Sequence, residues 1–316
     1  MGAKIRPGED DAALDEAVDL LRSQQLVAFA TETVYGLVCD ATHAGAAAKV
    51  YALKGRPSTN PMIVHVHDAE AARACSQGWD SRCETLAERF WPGPLTLVLP
   101  KSKGIPLTVT GGQDTVALRS PAHPVARALL GRFGGPIAAP SANRSTRISP
   151  TRAEHVAADF PTGLTLILDG GPCPVGIEST VVDMTGDPVI LRPGSIDADA
   201  LSKALGARVT TRGAAGPARS PGLLPRHYAP TVPMRLYTGR PESNTAAILH
   251  RSELPEPAAH TRQLPDEPNG FARELYDALR WAEGTGAELI LCETPPDDDA
   301  WSAIRDRLTR ACHPHD

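Results

Sequence analysis

Apolar positions over the first 200 residues come in short bursts that switch between two periods. Leu14, Val18 and Leu21 stand at i, i+4 and i+7, the stripe of an amphipathic helix over 11–25. The apolar run at 27–30 reads as a strand, and 31–36 as a polar turn at its end. The same alternation predicts helices at 45–53, 69–77, 81–90, 124–132 and 151–158. Between them it predicts strands at 62–66, 95–99, 115–118, 136–139, 164–168, 180–183 and 189–191. Thr151 and Glu154 have the spacing of a capping box at the last of those helices. Such an order implies an α/β (α+β) fold: a twisted, open, mixed sheet with helices on its faces. Residues 206–233 lose the periodicity to Gly, Ala, Arg and Pro and read as a linker. Strands at 234–237 and 288–292, with helices at 271–283 and 299–311, then predict a small Rossmann-like α/β domain. The expected division is therefore 8–205, a linker at 206–233, and 234–316.

Composition narrows the class. Thirty Pro and 27 Gly against 14 aromatic residues exclude a coiled coil or long helical bundle, and no Gly period points to collagen. The net charge of −5 is uneven: residues 251–316 hold 14 acids and 7 bases, leaving 23 acids and 25 bases in the rest. That balance fits a small anionic ligand better than a nucleic-acid backbone, so no stable nucleic-acid binding is expected. Six cysteines at 39, 75, 83, 173, 292 and 312 show no C-x-x-C spacing, which argues against a zinc ribbon or a dithiol motif. They read as reduced, mostly buried thiols of a cytoplasmic protein. No run approaches the ~18 apolar residues of a membrane span, so neither secretion nor membrane insertion is expected.

Several clusters carry candidate chemistry. Lys54 and Arg56 flank Gly55 after a predicted helix, where two cations can converge on a phosphate or carboxylate, or simply complement the helix macrodipole. Ser141 and Asn143 lie on a strand-end turn, placed either for a polar ligand or for an ordinary Asx turn. Ser149 and Thr151 offer hydroxyls to an anion or to a helix end. Glu178, Ser179 and Thr180 follow a Gly/Pro-rich loop. His65 and His67 face one side of a strand with no third metal ligand implied by spacing, so one is expected to contact a ligand and the other to be structural or exposed. His313 and His315 read as tail residues. P-loop, dinucleotide-binding and nucleophile-elbow motifs are absent. The residues alone reach an anion-binding α/β protein.

Taken in order, seven of these segments are joined by a resemblance: 31–37, Lys54 with Arg56, 60–65, Ser141 to Asn143, Ser149 to Thr151, 179–183 and 191–194. The chain resembles the YrdC/TsaC threonylcarbamoyl-AMP synthase family over about residues 10–205, and 220–230 resembles the linker of its long form. The resemblance implies a reaction of L-threonine, bicarbonate and ATP, with Mg²⁺, giving threonylcarbamoyl-AMP and pyrophosphate. It further implies that a tRNA threonylcarbamoyl-transferase complex takes the product on to t6A. Lys54, Arg56, Ser141 and Asn143 match the family's catalytic group. Arg56, Asn60, Thr115, Ser141, Ser149, Arg192 and Tyr228 match ATP-side positions, while Thr33, His65, Arg119 and Ser179 match threonine-side positions. Arg226, His227 and Tyr228 match a lid, and no side-chain metal ligand is implied. Ala30, Val38 and Thr146 depart from the family's Pro, Gly and Gly, and Leu223 to Pro225 from a more polar linker. Two rivals stand beside this expectation: a carbamoyltransferase of the same fold, whose relatives carry extra acylphosphatase or zinc-finger segments, and a non-catalytic RNA-binding module.

Overall fold

A computed structural model describes residues 2–211, 226–243, 245–254 and 258–313. Among these residues the larger sheet has eleven strands: β1 (Lys4–Pro7), β2 (Val27–Phe29), β3 (Gly36–Asp40), β4 (Ile63–His65), β5 (Leu95–Pro100), β6 (Thr115–Arg119), β7 (Ile137–Ala138), β8 (Leu166–Asp169), β9 (Thr180–Asp183), β10 (Val189–Arg192) and β11 (Thr210–Thr211). Their spatial order is β1-β8-β2-β3-β7-β4-β6-β5-β9-β10-β11, with parallel and antiparallel pairs mixed. Seven helices cover it: α1 (Asp11–Arg22), α2 (Ala44–Lys54), α3 (Ala69–Cys75), α4 (Ser81–Phe90), α5 (Pro124–Phe133), α6 (Ala153–Asp159) and α7 (Ala198–Leu205). A second, all-parallel sheet is built from β12 (Met234–Tyr237), β13 (Ala247–His250), β14 (His260–Gln263) and β15 (Ile290–Glu293), with helices α8 (Pro268–Gly284) and α9 (Ser302–Ala311).

The period of two along the central strands sorts residues between two faces. Val64, Leu97, Leu118 and Val182 point into the main core under the helices. Ile63, Val98, Ala117, Val181 and Leu191 form a small apolar patch on the opposite face. His65, Thr96, Arg119 and Ser179 share the parity of that patch, so polar groups stand beside its apolar floor. Pairing aligns them: His65 is opposite Arg119, while Thr96 and Arg192 both lie opposite Val181.

Most predicted elements form, with some corrections. The capping box does not: α6 starts at Ala153 behind Arg152 with no side-chain cap, and the Thr151 amide instead faces His155 Nδ1. The expected helix at 299–311 begins as a 3₁₀ turn at Asp299–Trp301. The sequence reading missed β1, β3, α7, β11, β13 and β14. The linker expected at 206–233 contains β11, and its stretch 212–225, with Leu223 to Pro225, lies outside the described residues, as does His315. All six cysteines are free, five of them buried. Among the described residues no helix is long and apolar enough to cross a membrane.

Candidate active site

A pocket opens on the patch-bearing face. Thr31, Thr33, Arg56, His65, Arg119, Ser141, Glu178, Ser179, Arg192, His227 and Tyr228 are among the residues that line it. Its free volume, about 40 Å³, is far below the ~300–1,000 Å³ of a small-molecule site. The pocket is therefore narrow, filled largely by its own side chains, with His227 and Tyr228 as its roof. Larger clefts of about 330 and 450 Å³ lie between the two units around Gly194 and Asp197, but acidic Asp197 and Asp299 line both, without the convergent cations of the small pocket. The small pocket also holds three buried polar atoms without a hydrogen-bond partner: His65 Nδ1, His227 Nδ1 and Tyr228 Oη. Buried orphans are rare in native proteins and mark places where a ligand completes the bonding.

At one end the buried turn after β2 is organised by a single hydroxyl. Thr31 Oγ1 accepts from the Thr33 and Val34 amides and donates to Val34 O. Arg119 closes over this turn: Nη1 donates to Thr33 Oγ1 at 2.9 Å and Nε to Gly93 O at 3.2 Å, and Nη2 pairs with Glu32 Oε1 at 2.7 Å. Burial is the strongest single influence and raises the Glu32 carboxyl, but the Arg119 charge and hydrogen bond together with backbone amides outweigh it and hold the group below its ordinary value. His65 stands alongside with its ring edge-on to Phe29; burial and the Arg119 charge push its pKa to about 3, so the imidazole is neutral. His67 is exposed and pairs with Asp68. Among the described residues, no group of three or more His, Cys, Asp and Glu could hold a metal.

The other end is cationic. Arg56 Nε and Nη2 are fixed on Asn60 O, Asn60 Oδ1 and Pro61 O, which leaves Nη1 toward the pocket. Burial lowers its pKa to about 10, so it stays charged. Arg192 donates to the main-chain oxygen and hydroxyl of Ser179, whose hydroxyl also meets Thr96. Lys54 and Asn143 stand behind the lining. Lys54 Nζ donates to the carbonyls of Ser141, at 2.6 Å, and Asn143, while Asn143 Nδ2 donates to Arg144 O and Arg147 O. Ser141 Oγ donates to Asn143 Oδ1 at 2.5 Å. Burial, then the Arg56 charge, holds Lys54 well below its ordinary pKa.

Of the expected site residues, the lining gathers Thr33, Arg56, His65, Arg119, Ser141, Ser179, Arg192, His227 and Tyr228. Lys54, Asn60 and Asn143 buttress that lining. Ser149 stands behind the lining and donates to Glu178, and Thr115 sits at the far end of β6 from Arg119. Arg226 is half-buried and donates to Pro230 O rather than lining the pocket. Tyr228 holds φ +59, a left-handed conformation that is rare outside glycine. Sequence reasoning named Glu178 within a motif without assigning it a site role, and missed Glu32, Tyr276 and Arg307. Only Arg307 left a signal: it falls on the apolar stripe of α9 beside Ile304, Leu308 and Ala311, where an arginine must be paired.

Comparison with known proteins gives two family matches. A family model described as "Telomere recombination" (Sua5/YciO/YrdC) matches residues 19–194, and one described as "Threonylcarbamoyl-AMP synthase, C-terminal domain" matches 196–312. The chain is 38% identical over 327 residues to the threonylcarbamoyl-AMP synthase of Bacillus subtilis, covering 96% of this chain and 93% of that one. It superimposes on a variant of Pyrococcus abyssi Sua5 with TM-score 0.91 at 35% identity, over 99% of this chain and 100% of that one. The structure of P. abyssi Sua5 complexed with L-threonine gives 0.88 at 37% identity, over 95% and 94%.

Proposed function

This chain belongs to the threonylcarbamoyl-AMP synthase family, in the long form that carries its own C-terminal domain, and from that premise we propose how its pocket works. It is an ATP-using nucleotidyltransferase that makes threonylcarbamoyl-AMP for t6A biosynthesis. That assignment displaces the carbamoyltransferase and RNA-binding rivals. The amine of L-threonine takes up the carbon of bicarbonate with loss of water. A carbamate oxygen then attacks the α-phosphorus of ATP, and pyrophosphate leaves. Such a reaction needs positioning and charge neutralisation rather than a covalent nucleophile.

In our reading Arg119 and Thr33 receive the threonine carboxylate. Three of the five guanidinium N–H groups of Arg119 are committed to Gly93, Thr33 and Glu32, which leaves one on each terminal nitrogen for a bidentate grip. His65 Nδ1 and Ser179 face the rest of the amino acid. Arg56 and Arg192 meet the phosphates, and Lys54 stiffens the Ser141–Asn143 turn beneath them. Tyr228 and His227 exclude water from the acyl phosphate, and the small free volume of about 40 Å³ supports their withdrawal when ATP binds. Glu32 is committed to Arg119, and Glu178 to Ser149 and Arg307. No lining carboxylate is left to ligate a metal, so Mg²⁺ belongs to the substrate triphosphate. The product passes to a tRNA threonylcarbamoyl-transferase complex, and six free thiols favour a reducing compartment, the cytoplasm.

The observation that carries this reading is the meeting, in one buried pocket, of uncommitted guanidinium N–H groups with three orphaned polar atoms. Pyrophosphate release from ATP tests it. Release is expected to require both threonine and bicarbonate, and to fall by about 100-fold or more in Arg56→Ala and Lys54→Ala. Threonine-independent release, or full activity in both variants, contradicts it.

A further inference from the structure

Glu178 is buried beside the pocket, and most of its bonds come from the other unit. Oε1 accepts from Ser149 Oγ at 2.6 Å. Oε2 accepts from Tyr276 Oη on α8 at 2.9 Å and from Arg307 Nε on α9 at 3.1 Å. Arg307 reaches further: Nη2 donates to Glu178 O and Nη1 to Pro193 O at 2.7 Å. These two carbonyls belong to the chain neighbours of Ser179 and Arg192, the hydrogen-bonded pair on the pocket wall. Tyr228 lies between the same two groups, its ring 5.7 Å from that of Tyr276 and 5.4 Å from the Arg307 guanidinium. The roof is tied to α9 once more by the His227 amide on Arg310 O.

We propose that Tyr276 and Arg307 are positioning residues for the reaction: through Glu178, Pro193 and Tyr228, the C-terminal unit sets Arg192 and the roof in place for ATP. The inference rests on the pocket reading above. A mere staple between the units would not need this location, because Arg280 with Asp159, Arg147 with Glu283 and Arg152 with Asp277 already join them away from the pocket. A buried guanidinium is also a poor way to gain stability, since desolvation offsets much of the Coulombic attraction. Its acceptors instead fix the backbone on either side of the substrate wall.

The test is steady-state pyrophosphate release by the full chain, with threonine affinity of the ATP-free protein measured by calorimetry. In Arg307→Met, kcat/KM for ATP is expected to fall by about 10-fold or more while threonine affinity stays within about threefold. Tyr276→Phe, which keeps the ring against Tyr228, is expected to shift ATP kinetics in the same direction by less. Arg152→Ala, which breaks an exposed staple, serves as the control and keeps wild-type kinetics. Wild-type ATP kinetics in Arg307→Met overturn the proposal. So does an equal loss for both substrates that tracks a lowered melting temperature. Failure of the pocket reading would show separately, as release in the wild type that needs neither threonine nor bicarbonate, and would overturn both.

Discussion

Replacing His65 by Asn tests the electrostatics of the threonine end without reference to turnover. His65 is 3% exposed and its Nδ1 has no partner; burial and the Arg119 charge move its pKa from 6.5 to about 3. The folded protein thus refuses a proton that the unfolded chain accepts once the pH drops below 6.5. The stability this group contributes is intact above that value and is lost progressively as the pH falls toward 3. Integrating the linkage from pH 7 to pH 5 gives a loss of about 2 kcal/mol from this one imidazole. Urea unfolding of wild type and His65→Asn at the two pH values isolates it, because half-buried His123 and buried His227 titrate alike in both proteins and cancel in the difference. The wild type is expected to lose about 2 kcal/mol more than the variant over this interval. Parallel pH dependence in the two proteins would refute the claim that His65 is held neutral by its surroundings.

Two backbone positions supply further expectations. Thr146 sits at φ +67, a left-handed conformation that favours Gly, and its carbonyl receives the Ala229 amide beside the roof. Thr146→Gly relieves left-handed strain of ~1–2 kcal/mol but adds chain entropy to the unfolded state, so a net gain of about 0.5–1 kcal/mol is expected in denaturant unfolding; a loss would contradict the strain argument. Gly176 has φ +80, and a Cβ there would stand 2.3 Å from Arg273 Cα and 2.6 Å from Ala272 O of α8. Gly176→Ala is expected to cost about 3 kcal/mol and to loosen α8 from the Glu178 loop, read as faster amide exchange at 271–276. Unchanged exchange there would show that the loop accommodates the methyl group.

Local patterns in the chain foretold the elements with clear periods and missed those that depend on partners. β4, β5 and β9 are dense apolar runs buried on both faces, and they announced themselves. β3 was read as part of a turn and its aftermath because Gly36 opens it and Asp40 closes it, and only pairing with β2 and β7 makes it a strand. β14, His260–Gln263, has no apolar residue at all and exists through its ladder to β13. The substrate wall was legible as ordered motifs, since Arg56, Ser141, Ser179 and Arg192 each lie within a short recognisable segment. Glu32 and Glu178 were invisible as site residues because their meaning is set by Arg119 and Arg307, 87 and 129 positions away. A capping box misled because the spacing of Thr151 and Glu154 does not reveal that the Thr151 carbonyl is already held by Cys173.

The alignment of His65, Arg119, Thr96 and Arg192 across adjacent strands acts as a ruler. From β4 to β10 the order is β4-β6-β5-β9-β10, so four inter-strand spacings separate His65 from Arg192. At ~4.8 Å per spacing that is roughly 19 Å, fixed by backbone hydrogen bonds rather than by any loop. Loops such as 31–35 and 139–145 can therefore change which groups the pocket recognises without altering the spacing of the strands that carry His65, Arg119, Thr96 and Arg192.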